Sequence, residues 1–287
     1  MSVCIAYISP FVPAEWIEAH GLRARRVQAE GGVSAAAGAC PLATAFAQCA
    51  SDRDAVVFTT TCDQMRRMAE RCCIDPSRVF LMNVPATWET AGAFALYTEE
   101  LRRLGRFMVR LGGIAPAAEQ LATVMREHDI ARRSGAVVVD RGTPVAMVGA
   151  PLRREDRWLF DCVNHVGGCV ALDATEGGQR CWPAQFDERG MAADPLAELA
   201  RKYFLTIPDA FRRPDTLLQE YLQREVALRK IRGVILVRYL WCDQWHAQLV
   251  RLKESLKIPV IEIDLGGQDY DLPRIRTRIE SLMGILR

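Results

Sequence analysis

Apolar residues in this chain fall into short continuous runs separated by stretches of helical spacing. Runs at residues 3–8, 55–60, 78–82, 144–148, 169–172, 233–239 and 259–263 are bounded by Gly, Pro and polar clusters. Continuous runs of this length, rich in Val, Ile and Phe, predict strands covered on both faces, as in parallel sheets. Weaker strand candidates lie at 24–29 and 136–139. Between them a 3.6-residue period predicts helices at 13–20, 41–50, 63–71, 87–111, 116–133, 155–165, 195–204, 217–230, 242–256 and 272–286. Pro13 and Pro41 fall in first helical turns, where a missing N–H costs nothing. Residues 31–38 and 173–194 are expected to be loops.

Strict β/α alternation implies parallel sheets with helices on their faces. We therefore expect an α/β protein of two similar domains, 1–133 and 134–287. Each is expected to be a parallel sheet flanked by helices, of flavodoxin or Rossmann type. Weak internal symmetry supports two units. AVVFTTTCDQMRRMAE and GVILVRYLWCDQWHAQL share strand, Cys-Asp-Gln and helix in the same order, and a further apolar strand follows each.

Cys40, Cys62 and Cys242 each stand where a strand or loop gives way to a helix. A parallel sheet gathers such turns along one edge, where ligands bind. Helix starts carry a partial positive charge and free N–H groups, which lower a cysteine's pKa and favour the thiolate that binds metal. Three such thiols suit an iron–sulfur cluster, or a soft metal with one position left open. Zinc is the chief rival, with His246 one turn beyond Cys242 as a further ligand. Cys4, Cys49, Cys72, Cys73, Cys162, Cys169 and Cys181 are expected to be small packed hydrophobes. Asp63 and Asp243 are expected to stabilise their helix starts.

Composition narrows the classes. The 287 residues are 50% hydrophobic and 25% charged, with 37 basic and 35 acidic residues. That near balance gives no support for binding nucleic acid. No basic leader with a long apolar run appears, and no apolar run approaches a membrane span, so a cytoplasmic protein is expected. Ten cysteines without a CxxC pair then point to metal or redox chemistry rather than disulfides. Neither GxGxxG after the first strand nor GxxxxGK[ST] is present, so an outside electron donor is expected. His165 and Glu176 are candidate acid/base groups. Arg153, Arg154 and Arg180, with Gly149 at a strand end, are candidates for an anionic substrate.

Several segments carry a resemblance: PAEWIEAHGLRARRV, the helix start at Cys40, TTTCDQMRRMAE, VAMVGAPL, VRYLWCDQWHAQLVRLKESLKIPVIEID and IRTRIESLM. Together they span nearly the whole chain, and TTTCDQMRR and the late Cys-Asp segment are the most specific. The chain resembles the D-component family of 2-hydroxyacyl-CoA dehydratases, which includes benzoyl-CoA reductase subunits and double-cubane proteins. The resemblance implies a [4Fe–4S] cluster held by Cys40, Cys62 and Cys242, between domains and near an acyl-CoA thioester. It also implies one-electron chemistry through a ketyl radical, leading to dehydration (a lyase) or reduction (an oxidoreductase). A separate ATP-hydrolysing iron–sulfur activator supplies the electron, and a second subunit of the same fold pairs as a homo- or heterodimer. Two departures bear on the substrate pocket. The chain starts almost directly at PAEWIEAHG, so an N-terminal helical region is expected to be missing. The usual cysteine segment of the middle region reads LDATEGGQR, with Cys181 after it. The alternatives are a non-catalytic electron-transfer or partner subunit carrying the cluster, and a cluster-free structural relative.

Overall fold

The structure is a computed structural model and describes residues 2–30, 38–50, 55–134, 142–266 and 271–287. It contains two four-stranded sheets, parallel throughout. The first has the order β2-β1-β3-β4, built from β1 (Cys4–Tyr7), β2 (Arg23–Arg26), β3 (Ala55–Thr59) and β4 (Val79–Met82). The second has the order β6-β5-β7-β8, built from β5 (Thr143–Gly149), β6 (Gly168–Thr175), β7 (Gly233–Tyr239) and β8 (Val260–Leu265). The expected two-sheet α/β architecture is present, and the two sheets wind identically. The loop expected at 31–38 and the strand expected at 136–139 fall wholly or largely outside the described residues.

Burial follows strand position. All five residues of β3 are buried, and β7 is buried except at Arg238. Edge strand β2 reads RARR and is half exposed, which discourages pairing with another chain. Helices α1 (Ala14–Ala19), α2 (Pro41–Ala50), α3 (Asp63–Arg71), α4 (Ala91–Arg110) and α5 (Ala118–Arg133) accompany the first sheet. Thr90 caps α4 by accepting from the Ala93 amide at 3.1 Å, so this helix starts later than the pattern predicts. Helix α6 (Trp158–His165) follows β5.

Residues 173–194 hold more order than their Gly- and Asp-rich composition suggests. Strand β6 runs on to Thr175, and α7 (Glu188–Ala193) is capped by Asp187, which accepts from the Gly190 amide at 2.8 Å. With α8 (Pro195–Thr206), α7 leaves the second sheet altogether. Met191, Leu199, Tyr203, Phe204 and Phe211 join the core under the first sheet, beside Tyr97, Leu101 and Leu104 of α4. The Phe204 ring stacks on Tyr97 at 4.8 Å. The chain then returns through α9 (Thr216–Leu228), α10 (Asp243–Leu256) and α11 (Leu272–Leu286) to the second sheet.

Two positions make the framework testable. Gly149 ends β5 at φ +145°, and an added Cβ would lie 1.8 Å from the Val237 carbonyl oxygen on β7. We predict that Gly149→Ala costs about 3–5 kcal/mol, read by urea unfolding; an unchanged midpoint would contradict the close approach. His20 is buried, its Nδ1 is 2.7 Å from the Trp16 carbonyl oxygen, and burial holds its pKa below the ordinary value. The unfolded chain therefore binds a proton at His20 more readily than the folded one, and stability is lost as pH falls below about 6.5. The thermal midpoint should drop between about pH 7 and about pH 5.5, and His20→Gln should flatten that slope.

Candidate functional site

In each sheet the strand order reverses between its first and third strands, β1/β3 in one and β5/β7 in the other. Ligands of open α/β sheets bind beyond the strand carboxyl ends at such a reversal. Here the two reversals face each other across one cavity of roughly 60 Å³. Residues 8–11 follow β1, Thr59, Thr61 and Cys62 come from the end of β3, Ala150 and Pro151 follow β5, and Tyr239 and Cys242 come from the end of β7. Cys40 and Leu42 close the wall from the start of α2, and Gln244 and Trp245 from the start of α10.

All three singled-out cysteines therefore border the same space, at three helix starts. Cys40 precedes Pro41, and its carbonyl accepts from both the amide and the hydroxyl of Thr44 at 3.1 Å. Cys62 and Cys242 are the N-cap residues of α3 and α10. Trp241 before Cys242 holds φ +70°, a conformation that bulky residues rarely take. Asp63 and Asp243 occupy the first turns, and Asp63 is exposed beside Arg66.

The thiols do not behave as the helix starts alone would dictate. Burial pushes Cys40 up to about 11, against the opposing pull of the Ala43 and Leu42 amides. It raises Cys62 despite the Met65 and Gln64 amides, and Cys242 still more strongly despite Trp245. The expected lowering is thus corrected: desolvation outweighs the helix amides. Charge on one thiol also raises the next. Cys62 acts on Cys40, and both act on Cys242.

Among the described residues no three His, Cys, Asp or Glu side chains converge on a single-ion position. A lone zinc needs every ligand atom about 2.3 Å or less from one point, so the donors here do not fit it. His246 points elsewhere, with Nδ1 3.2 Å from Glu262 Oε1 and its side chain 60% exposed. Cys40, Cys62 and Cys242 share the wall of one cavity, and thiolates that bind separate irons of a polynuclear cluster need not meet at one point.

The remaining candidates separate. Glu176 lines the cysteine cavity, with its carboxyl raised by burial and by Asp209 against Arg180 and Arg26. It also borders an adjoining cleft of roughly 200 Å³ with Arg26, Arg157 and Asp173. His165 ends α6 and lines a different cavity with Trp158, Cys162 and Arg276, so it is not brought to the cysteines. Arg153 is buried and forks onto Asp156 at 2.8 and 3.1 Å, and the Tyr239 hydroxyl donates to the same carboxylate at 2.6 Å. Arg180 is buried against Trp245 at 5.0 Å and donates to Asp209 at 3.0 Å and to the Ala174 and Pro208 carbonyls. Neither presents a free guanidinium to a phosphate. Arg154 is exposed and pairs with Glu30 at 3.1 Å. Gly149 serves the β5–β7 approach. Cys181 is buried outside the cavity wall, and burial pushes its thiol up to about 11.

Sequence reasoning missed Asp209, Trp245, Gln64 and Gln244. The shared Cys-Asp-Gln was the available signal for the glutamines. The Gln64 side chain accepts from the Cys40 amide at 3.1 Å, and Gln244 donates to the Thr61 carbonyl at 2.6 Å.

Fold and cavity together define a class: paired, identically wound α/β sheets with a thiol-lined cavity between their reversal points. The family profile described as "2-hydroxyglutaryl-CoA dehydratase, D-component" matches twice, over residues 10–136 and 131–286. The chain belongs to that family. The double match agrees with the repeated sheet order. Among solved structures, similarity is found to a Mn-bound periplasmic metal binding protein from Candidatus Liberibacter asiaticus, at 11% identity and TM-score 0.28 over 100% of both chains. The laminin-binding protein Lbp of Streptococcus pyogenes is similar at 12% identity and TM-score 0.25, also over 100% of both. Likenesses this slight carry no argument. No curated protein matches the chain. Among the described residues no helix is long and apolar enough to cross a membrane.

Burial separates structural from ligand-facing arginines. Arg153→Met should cost about 3–5 kcal/mol by leaving the buried Asp156 carboxylate without its guanidinium, whereas Arg154→Ala should stay within about 0.5 kcal/mol. Chemical denaturation of both variants measures this; equal small effects would make Arg153 available for a ligand.

Proposed function

We propose that this chain is an iron–sulfur subunit of a 2-hydroxyacyl-CoA dehydratase or a related acyl-CoA reductase, with Cys40, Cys62 and Cys242 holding a [4Fe–4S] cluster. The observation that carries the reading is the meeting of these cysteines, drawn from both halves of the chain, on one cavity between two sheet reversals. Family membership supports the substrate class. When bound, such a cluster supplies a one-electron store at low potential. The chain's own groups then divide the remaining work. The helix-start amides of Ala43, Met65 and Trp245 favour thiolate at the three sulfurs. Glu176, whose carboxyl burial pushes up to about 7, can give or take a proton at this cavity. Apolar walls from Phe11, Leu42 and Met65 limit water. The electron comes from a separate ATP-hydrolysing iron–sulfur activator, and a second subunit of the same fold completes the enzyme in the cytoplasm.

One observation favours a second reading, a non-catalytic electron-transfer or partner subunit. The cysteine cavity is small, and the buried Arg153 and Arg180 near it are fully engaged within the protein, which leaves neither for the phosphates of coenzyme A.

Anaerobic reconstitution tests the cluster. Cys40→Ser, Cys62→Ser and Cys242→Ser should each abolish stable iron and sulfide uptake, while Cys4→Ser and Cys49→Ser keep it. Equal iron in all five variants would sink the assignment. Turnover of 2-hydroxyacyl- or aromatic acyl-CoA should require the activator and ATP. Cluster uptake without turnover under any partner combination selects the second reading.

A further inference from the structure

Cys-Asp-Gln occurs twice in this chain, and its glutamines do a job that the cysteines cannot. Gln64 and Gln244 each sit at the second residue of a helix, just past a cavity cysteine. Neither side chain turns back on its own helix start. Gln64 reaches to the Cys40 amide at 3.1 Å, and Gln244 reaches across to the Thr61 carbonyl at 2.6 Å, one residue before Cys62. The bonds run in series: the Cys242 helix holds the Cys62 turn, and the Cys62 helix holds Cys40. The first of these joins the second half of the chain to the first.

We propose that Gln64 and Gln244 are positioning residues that set the spacing of the three thiols, Gln64 as a hydrogen-bond acceptor and Gln244 as a donor. The chemistry of the partners fixes these roles. A backbone N–H can only donate, so Gln64 must present its oxygen to Cys40. A backbone carbonyl can only accept, so Gln244 must present its NH2 to Thr61. The repeated motif therefore carries opposite polarity at its two copies. Glutamate preserves an acceptor and removes a donor, and at either site a carboxylate suits a helix start. Substitution by Glu should thus be tolerated at Gln64 and damaging at Gln244, although size and helix position match.

This inference rests on the reading of Cys40, Cys62 and Cys242 as a cluster site, but its first readout needs no cluster. In the cluster-free protein, alkylation of individual cysteines is followed by mass spectrometry. Loss of one such bond corresponds to roughly fivefold in local opening. Cys62 should label about fivefold faster in Gln244→Leu and in Gln244→Glu. Cys40 should label faster by a similar factor in Gln64→Leu and at the unaltered rate in Gln64→Glu. The second readout is release of iron to a chelator from the reconstituted protein, which should show the same rank. Gln244→Glu labelling like the unaltered protein, or Gln64→Glu behaving like Gln64→Leu, overturns the proposal. If the unaltered protein takes up no iron, the cluster reading fails, and the labelling pattern alone decides the glutamine roles.

Discussion

Parallel strands send all their following loops to one edge, and this protein places two such edges against each other. Everything at the cavity follows from that opposition. Residues after β1, β3, β5 and β7 meet there only because both sheets share one winding order and turn their carboxyl ends inward. The close approach of Gly149 to Val237 sets the geometry of the second edge. The arginines that a sequence reader would assign to a ligand are instead used here. Arg153 ties the segment after β5 to Tyr239 through Asp156, and Arg180 ties β6 to Asp209. Both ion pairs are buried. Their worth lies less in net stability, which desolvation erodes, than in holding loops from different strands in fixed relation.

The same burial sets a contest at the thiols. Helix-start amides favour thiolate, and the apolar wall opposes any charge. With three thiols near one another, each charge also raises its neighbours. The wall and the mutual repulsion outweigh the amides, and all three thiols are raised. A cationic centre would reverse both terms together, since it neutralises the repulsion and supplies the attraction that burial otherwise withholds. Thiols raised in this way are poor nucleophiles, and a metal centre taken up here would release protons.

Most of the fold was legible in the sequence. Central strands such as β3 and β7 are unbroken apolar runs because both faces are covered, and α2, α3 and α11 are bounded by Pro, Cys-Asp and Asp-Leu-Pro signals. The three cavity cysteines could be picked out because helix starts in a parallel fold share an edge. What stayed hidden depends on long-range packing. Residues 186–206 read as loop followed by a lone helix, since nothing local shows that Met191 and Phe204 pack under the other sheet. Arg153, Arg180 and His165 looked alike as polar residues near Gly- or Pro-rich turns. Only the folded chain shows two of them buried in ion pairs and the third lining another cavity.

The passage of α7 and α8 into the first sheet's core bears on how the two sheets can move. In many two-lobed proteins a ligand arrives when the lobes swing apart about a hinge. Here α7 and α8 would travel with the first sheet, since Leu199, Tyr203 and Phe204 pack beside α4, and a swing would bend the chain on either side of them. The two sheets are therefore joined by the passages of chain before α7 and after α8, and any relative movement is taken up there.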